Sequence, residues 1–293
     1  MSKAPEALVL TGYGINCDYE TLEACTLAGF SARRVHLNDV IGESGMLFRQ
    51  KLVVFPGGFS YGDDLGSGVA FASKIRYAAA GQKGRLIDLF GEYVSKGGLV
   101  LGICNGFQIL VRMGLIPALG GNHRDQEVTL APNKEGYFID RWVHLLAAKD
   151  SPCVFTRGLG VFSLPVRHGE GRFLARDAAA MAGIERQGLI ALRYCARSSG
   201  RTGGSSIGGS RGEDFSPTMD FPANPNGSDA AVAGLCDPSG RVFGLMPHPE
   251  AAVRFYQYPD WTRRGEEARR GGFHLSEEGE GLAIFRNAFA YVG

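Results

Sequence analysis

Short apolar runs and amphipathic segments alternate along the first part of the chain. The apolar runs are short enough for buried strands, and the segments between them place apolar residues at helical spacing. The predicted strands lie at 7–10, 32–37, 52–55 and 99–103. The predicted helices lie at about 18–28, 67–80, 86–96 and 107–113. This alternation predicts βαβ units and a parallel sheet, in which ligands bind beyond the carboxyl ends of the strands.

The second half of the chain is less regular. Its short apolar runs are typical of strands in a mostly antiparallel section, and they lie at 128–130, 142–145, 162–166, 190–194, 230–235 and 242–246. A glycine-flanked turn with polar side chains is predicted at 166–171, and a final helix at about 276–291. The pattern therefore predicts an α/β protein with a central, mostly parallel sheet flanked by helices and a smaller antiparallel section.

The composition changes between Ser198 and Asn224, where Gly, Ser, Arg and Pro replace the apolar runs. This change predicts a flexible surface insertion at about 198–224 within a single domain that spans 6–293. A segment so poor in apolar residues is expected to become ordered only on contact with a partner.

Charge and hydropathy exclude several classes of partner. A formal net charge of +1 over 293 residues gives no electrostatic reason to expect binding to nucleic acid or to a membrane surface. No apolar run reaches the length of a membrane span, and the first residues lack the apolar core of a signal peptide. The six cysteines show no C-x-x-C pair and no metal-ligand spacing. We therefore expect a cytoplasmic protein with reduced thiols and no metal site.

Cys104 stands between two glycines where a predicted strand meets a predicted helix. A reactive residue in such a turn, here Gly102-Ile103-Cys104-Asn105-Gly106, is typical of a nucleophile elbow. The free N–H groups and the dipole of the first helical turn stabilise a thiolate. A lone cysteine is more often a buried structural residue. The glycines and the strand–turn–helix context favour a nucleophile here.

A thiol nucleophile needs a base, and the base needs a group that orients it. In Pro247-His248-Pro249-Glu250 the His and Glu are two residues apart, so in an extended segment their side chains point to the same side. The two prolines are expected to keep the segment extended. Taken alone, this pair is equally consistent with a surface histidine. Together with the elbow cysteine, it predicts a base and its support.

A tetrahedral intermediate also requires donors for its oxyanion, and fixed backbone N–H groups serve well. The Asn105 N–H directly follows the nucleophile. The Pro56-Gly57-Gly58 turn supplies the second candidate, the Gly58 N–H. The alternative is that these glycines only form a tight turn after a strand. The three parts together predict acyl transfer through a thioester.

These segments resemble the class I (triad) glutamine amidotransferases, and among them the glutaminase subunits of phosphoribosylformylglycinamidine synthase from purine biosynthesis. The resemblance rests first on Cys104-Asn105-Gly106-Phe107-Gln108 and on the distal Pro-His-Pro-Glu at 247–250. Further matching segments run in the family's order at 16–18, 56–63, 168–171 and 225–228. The matches cover nearly the whole chain and imply the family's flavodoxin-like three-layer sandwich.

The resemblance also implies a role for individual positions. The catalytic residues are Cys104 as nucleophile, His248 as base and Glu250 as its orienting partner. The oxyanion-hole positions are Gly58 and Asn105. The positions that border the bound glutamine are Gln108, His168, Gly169 and Glu170.

The implied function has two parts. This chain would hydrolyse glutamine to glutamate and ammonia. A separate, large ATP-binding synthetase subunit would use that ammonia to convert formylglycinamide ribonucleotide into the amidine. ATP and Mg²⁺ are expected on that partner and no cofactor in this chain, which has no nucleotide-binding loop. Some relatives add a small third subunit, and the length of this chain suggests a free-standing subunit.

Two alternatives stay open from the residues alone. One is a class I amidotransferase that serves another pathway, and the other is a non-catalytic interaction subunit with the same fold. The intact triad favours an enzyme. The chain lacks the Pro-Gly that the family pattern has before Asn16, and Ala251 stands where many members have arginine. Both departures bear on partner contacts more than on chemistry.

Overall fold

The computed structural model describes residues 3–80, 84–121, 123–197 and 215–293. In this part of the chain the strands are β1 (Glu6–Thr11), β2 (Ser31–His36), β3 (Leu52–Phe55), β4 (Leu99–Ile103), β5 (Val128–Pro132), β6 (Ile139–Ala147), β7 (Val161–His168), β8 (Glu170–Ala175), β9 (Ile190–Arg197), β10 (Phe215–Pro217), β11 (Val232–Cys236) and β12 (Val242–Leu245). The α-helices are α1 (Asp18–Ala28), α2 (Leu37–Gly42), α3 (Val69–Tyr77), α4 (Leu86–Ser95), α5 (Asn105–Met113), α6 (Ala178–Arg186), α7 (Trp261–Gly271) and α8 (Leu282–Val292).

The main sheet has a parallel and an antiparallel part. Strands β2, β1, β3, β4 and β12 lie side by side in this order and run parallel. From β12 the sheet continues antiparallel through β11, β9, β6 and β7, and β10 also pairs with β9. Strands β5 and β8 form a separate two-stranded sheet. The predicted parallel sheet with an antiparallel section is confirmed.

Helices cover the parallel strands, whose side chains are buried along their whole length in β3 and β4. Continuous apolar strands of this kind need cover on both faces. Helices α3, α4 and α5 pack together, and the Phe55 ring of β3 lies 6.5 Å from the Phe71 ring and 5.5 Å from the Phe90 ring. Helices α1 and α8 form a second group. The core therefore lies between the sheet and these helices.

The predicted turn at 166–171 is wrong. Strand β7 continues to His168 and β8 begins at Glu170, so Gly169 alone separates them. The chain does not reverse onto the same sheet there, because β7 belongs to the main sheet whereas β8 pairs with β5.

The predicted final helix begins too early. The helix starts at Leu282, because Glu280, two residues earlier, is held outside it. The Glu280 carboxylate accepts hydrogen bonds from the Ser163 N–H and the Tyr258 hydroxyl, each at 3.1 Å.

The predicted insertion at 198–224 falls mostly on 198–214, which lie outside the described residues. For the remainder the loop prediction is wrong at Phe215–Pro217, which forms strand β10 against β9. Asn224 is buried, and its Nδ2 donates to the Ser228 carbonyl at 2.9 Å. Backbone pairing and this buried amide hold the end of the segment in place.

Helix α5 crosses the parallel strands at very short range, and two glycines make this possible. A Cβ on Gly106 would lie 1.8 Å from the carbonyl oxygen of Phe55 in β3. A Cβ on Gly244 of β12 would lie 2.1 Å from the Phe107 ring of α5. Because neither obstacle is the far end of a flexible side chain, the backbone itself would have to move.

We expect Gly106→Ala to destabilise the protein by about 3 kcal/mol, the upper end of the usual cost of overpacking. Gly91→Ala is the matched control, because Gly91 lies in helix α4 and a Cβ there has no heavy atom within 4 Å. It should raise stability by about 0.5–1 kcal/mol through helix propensity. Urea unfolding of the two variants and the parent measures both effects. Equal stabilities for the two variants would contradict the close crossing.

Candidate active site

Four neighbouring strands of the parallel part end at one place. Strand β1 leads into the loop that carries Cys17, β3 into Gly58, β4 into Cys104 and β12 into His248. Parallel strands present their carboxyl ends at the same edge of a sheet. Groups far apart in the sequence therefore meet at this edge.

Cys104 joins β4 to α5 in a strained conformation. Its φ of 50° and ψ of −107° lie outside the regions that L-residues normally adopt. Such strain costs about 1–3 kcal/mol and persists only where the surroundings enforce it. The Cys104 N–H donates to the Leu245 carbonyl at 2.8 Å, and its Sγ lies 3.6 Å from the Arg167 carbonyl oxygen at the end of β7. This is the geometry of a nucleophile elbow.

His248 and Glu250 form a buried pair. The His248 Nδ1 lies 2.5 Å from the Glu250 Oε1, and the two residues are only 3% and 1% exposed. The predicted extended segment is wrong, since Pro249–Ala252 forms a short 3₁₀ turn that brings the carboxylate back to the ring. Proline suits the first position of such a turn because its φ is already fixed there. The His248 N–H donates to the Pro165 carbonyl at 2.8 Å and ties the segment to β7.

The protonation of His248 follows from its neighbours. Burial by itself lowers the pKa of His248, but the Glu250 carboxylate and the thiols of Cys104 and Cys17 raise this pKa well above its ordinary value. A protonated imidazole next to the Cys104 sulfur stabilises the thiolate, which is the nucleophilic form. The surroundings therefore favour an ion pair between His248 and Cys104.

Gly58 and Asn105 each offer a backbone N–H that bonds to no protein acceptor among the described residues. Gly58 has a φ of 151°, and a Cβ there would lie 2.6 Å from the Gly14 carbonyl oxygen, so the position requires glycine. The Asn105 N–H belongs to the first turn of α5, which leaves it without a helical partner. One donor follows Cys104 directly and the other ends the neighbouring strand, an arrangement that can bind an oxyanion.

The Asn105 side chain connects these elements, a role that the sequence did not reveal. Its Oδ1 accepts from the Ser60 N–H at 3.2 Å, and its Nδ2 donates to the Gln108 Oε1 at 2.9 Å. The Gln108 Nε2 in turn donates to the Glu170 carbonyl at 2.5 Å. The Glu170 carboxylate accepts from the Ser67 N–H at 3.3 Å. The structure thus brings Gln108 and Glu170 together with the loop after β3.

His168 is buried, and its protonation is fixed by Asn133. The Asn133 Nδ2 donates to the carbonyls of Tyr137 and His168, at 3.0 and 2.8 Å, so its Oδ1 must accept from the His168 Nδ1, 3.0 Å away. Burial, with a smaller contribution from the charge of His248, lowers the pKa of His168 to about 3. His168 is therefore a neutral imidazole whose Nε2 is an acceptor without a hydrogen-bond partner in the described residues.

Cys17 is a further neighbour of the pair. Its sulfur, one ring nitrogen of His248 and a carboxylate oxygen of Glu250 all lie within 4.8 Å of one another. Burial raises the pKa of the Cys17 thiol. Sequence spacing gave no signal for this cluster, because its members come from opposite ends of the chain.

Among the helices that the structure describes, none is both long enough and apolar enough to cross a lipid bilayer.

The chain matches one family model and is similar to several known proteins. A family model described as the CobB/CobQ-like glutamine amidotransferase domain matches residues 4–292. The chain is 38% identical to phosphoribosylformylglycinamidine synthase subunit PurQ of Methanococcus maripaludis over 288 residues, which cover 98% of this chain and 97% of the relative. It is 40% identical to the PurQ subunit of Dehalococcoides mccartyi over 292 residues, which cover 100% of this chain and 99% of the relative. In a solved structure of PurLQS from Thermotoga maritima, one chain matches with a TM-score of 0.64 and 27% identity, covering 99% of this chain and 100% of that chain.

Glu250→Gln keeps the size of the side chain and removes its charge, so the pKa of His248 should fall. Because the folded pKa lies above the unfolded value of about 6.5, the pair contributes stability below that pH which is lost as the pH rises through the folded pKa. The variant should lose this contribution. Histidine NMR titration and urea unfolding against pH measure the two effects. Glu135→Gln, in an exposed turn, is the control and should change neither. An unaltered His248 midpoint in Glu250→Gln would contradict the assigned cause.

Proposed function

The chain belongs to the CobB/CobQ-like glutamine amidotransferases and, within them, to the family of phosphoribosylformylglycinamidine synthase subunit PurQ, and we propose that Cys104, His248 and Glu250 are its catalytic triad. The chain is the glutaminase subunit of such a synthase in purine biosynthesis. The observation that carries the triad assignment is the buried His248–Glu250 pair at the end of β12, next to the strained Cys104 at the end of β4.

The first half of the reaction forms a thioester. His248 takes the thiol proton of Cys104, and the resulting thiolate attacks the side-chain amide carbon of glutamine. The carbonyl oxygen becomes an oxyanion, which the N–H groups of Gly58 and Asn105 stabilise. When the C–N bond breaks, the imidazolium gives its proton to the departing nitrogen, and ammonia leaves.

The second half hydrolyses the thioester. Neutral His248 takes a proton from water, and the hydroxide attacks the thioester carbon through a second oxyanion in the same hole. The C–S bond breaks and glutamate leaves. The proton on His248 then either moves to the Cys104 sulfur or stays on the ring, which forms an ion pair with the thiolate. Glu250 keeps the imidazole oriented and stabilises its positive charge in both halves.

We propose that glutamine lies between the start of α5 and the junction of β7 with β8. The 3.6 Å separation between the Cys104 Sγ and the Arg167 carbonyl oxygen supports this location. His168 offers an unpartnered acceptor, and Gly169 lies between it and Glu170. Gln108, which bonds to the Glu170 carbonyl, positions that junction.

The partner of this glutaminase is the synthetase subunit of the same enzyme. We propose that ATP and Mg²⁺ bind on that subunit, that a small third subunit joins the complex, and that the complex works in the cytoplasm. The name PurLQS of the Thermotoga maritima structure supports a multi-subunit complex. None of the six cysteines, all of them in the described residues, forms a disulfide. We further propose that 6–293 act as a single amidotransferase domain.

Cys104→Ala should lower the glutamine-dependent synthesis of the amidine by the reconstituted complex about 10⁴-fold or more, since the nucleophile acts as a unit with its base. The assay supplies formylglycinamide ribonucleotide, ATP and either glutamine or ammonium chloride. Ammonium should support wild-type rates with the variant, because the synthetase reaction does not use Cys104. That arm shows that the synthetase is active, and co-elution of the variant with the synthetase in gel filtration shows that the variant folds and assembles.

Undiminished glutamine-dependent activity in Cys104→Ala would reject Cys104 as the nucleophile. Glutamine hydrolysis without amidine formation, in a complex that is active with ammonium, would reject the transfer of ammonia to the synthetase.

A further inference from the structure

Cys17 has no part in the proposed reaction, yet its thiol lies against the catalytic pair. Its backbone is fixed, because its carbonyl oxygen accepts from the Thr21 N–H at 3.1 Å and from the Thr21 hydroxyl at 2.6 Å. A Cβ on Gly57 would lie 3.2 Å from the Cys17 sulfur and 2.8 Å from the Cε1 of His248. Because Gly57 has no side chain, the Cys17 thiol and the His248 imidazole can both pack against it.

The cluster contains a potential ligand atom that no protein group satisfies. Within the described residues, the Glu250 Oε2 is buried and has no hydrogen-bond partner. Cys17 adds a sulfur atom so that all three residues offer a ligand atom within 4.8 Å of each other. A buried carboxylate oxygen without a partner is costly unless something binds it.

Thiolate, imidazole and carboxylate are the ligand types of Zn²⁺. At bond lengths of about 2.0–2.3 Å, the ligand atoms of a tetrahedral zinc ion stand about 3.5 Å apart. The three ligand atoms lie within 4.8 Å of one another, so no pair has to approach by more than about 1.3 Å. The hydrogen bond of 2.5 Å between His248 and Glu250 has to open by about 1 Å. A water molecule would complete the fourth position.

We propose that Cys17, His248 and Glu250 form an inhibitory binding site for Zn²⁺, occupied reversibly and separate from the catalytic cycle. The inhibitory part rests on the proposed function of His248 and Glu250. On binding, the Cys17 thiol and the protonated His248 each lose a proton to solvent, and the metal takes one lone pair each from sulfur, nitrogen and oxygen. The metal replaces the hydrogen bond between His248 and Glu250, so the imidazole can no longer exchange protons with Cys104. No oxidation state changes.

Cys104 and His248 are the alternative pair of ligands, since thiolate and imidazole both bind Zn²⁺. The two sites differ in the cysteine that they require, so serine substitutions separate them. Serine keeps the size of the side chain and removes the soft sulfur ligand.

The experiment measures Zn²⁺ affinity by competition with a chromophoric chelator, and Co²⁺ binding by its thiolate charge-transfer absorption, on the full chain of the parent, Cys17→Ser and Cys104→Ser. We expect Cys17→Ser to lose the absorption band and at least about tenfold in Zn²⁺ affinity, the least that loss of a ligand should cost. Cys104→Ser should keep both. Neither readout depends on glutaminase activity, so failure of the proposed function would not affect them.

In the reconstituted complex, glutamine-dependent activity is then titrated with Zn²⁺ for the parent and Cys17→Ser, each relative to its own metal-free rate. The inhibition constant should rise at least about tenfold in Cys17→Ser, and chelation should restore the parent's rate. The proposal is overturned if the parent binds no metal, if Cys104→Ser abolishes binding, or if Cys17→Ser binds and is inhibited like the parent.

Discussion

Helix α5 crosses the sheet at a distance that only glycine permits, and the active site depends on this contact. Gly106 places the helix backbone against the Phe55 carbonyl, and Gly244 makes room for Phe107 from the other side. The crossing leaves Cys104 no ordinary conformation between the end of β4 and the start of α5. Buried packing of strands and helix therefore offsets the strain of the nucleophile, and the first N–H groups of the helix become available to the substrate.

The antiparallel part of the main sheet also contacts the residues at the ends of the parallel strands. It extends the sheet from β12 to β7, and the carbonyls of Pro165 and Arg167 in β7 hold the His248 backbone and approach the Cys104 sulfur. The Asn105 side chain then ties the loop after β3 to the helix that follows the nucleophile. The proposed nucleophile, base and oxyanion donors are thus held by one hydrogen-bonded framework, so the proposed reaction needs little reorganisation.

Those parts of the arrangement that depend on local sequence pattern could be predicted from the sequence. Strands β3 and β4 match their predicted bounds because continuous apolar runs end there at Pro56 and at the Cys104 elbow. The turn of Pro249–Ala252 was missed because two prolines are compatible with both an extended and a helical segment. The change of sheet at Gly169, between β7 and β8, was missed because local pattern does not reveal which sheet a strand joins. The contact of Cys17 with His248 arises from strand order alone, and ligand spacing in the sequence carries no trace of it.

Strand β12 is the last strand of the chain, yet it lies in the interior of the sheet, between β4 and β11. During synthesis, a chain that has been made as far as α5 already contains Cys104, the proposed nucleophile, but not yet His248, its proposed base. Such non-local pairing is formed late in folding. Translation must therefore pass Glu250, and β12 must insert between β4 and β11, before the Cys104 sulfur meets its histidine. Products that stop before His248 lack the proposed base.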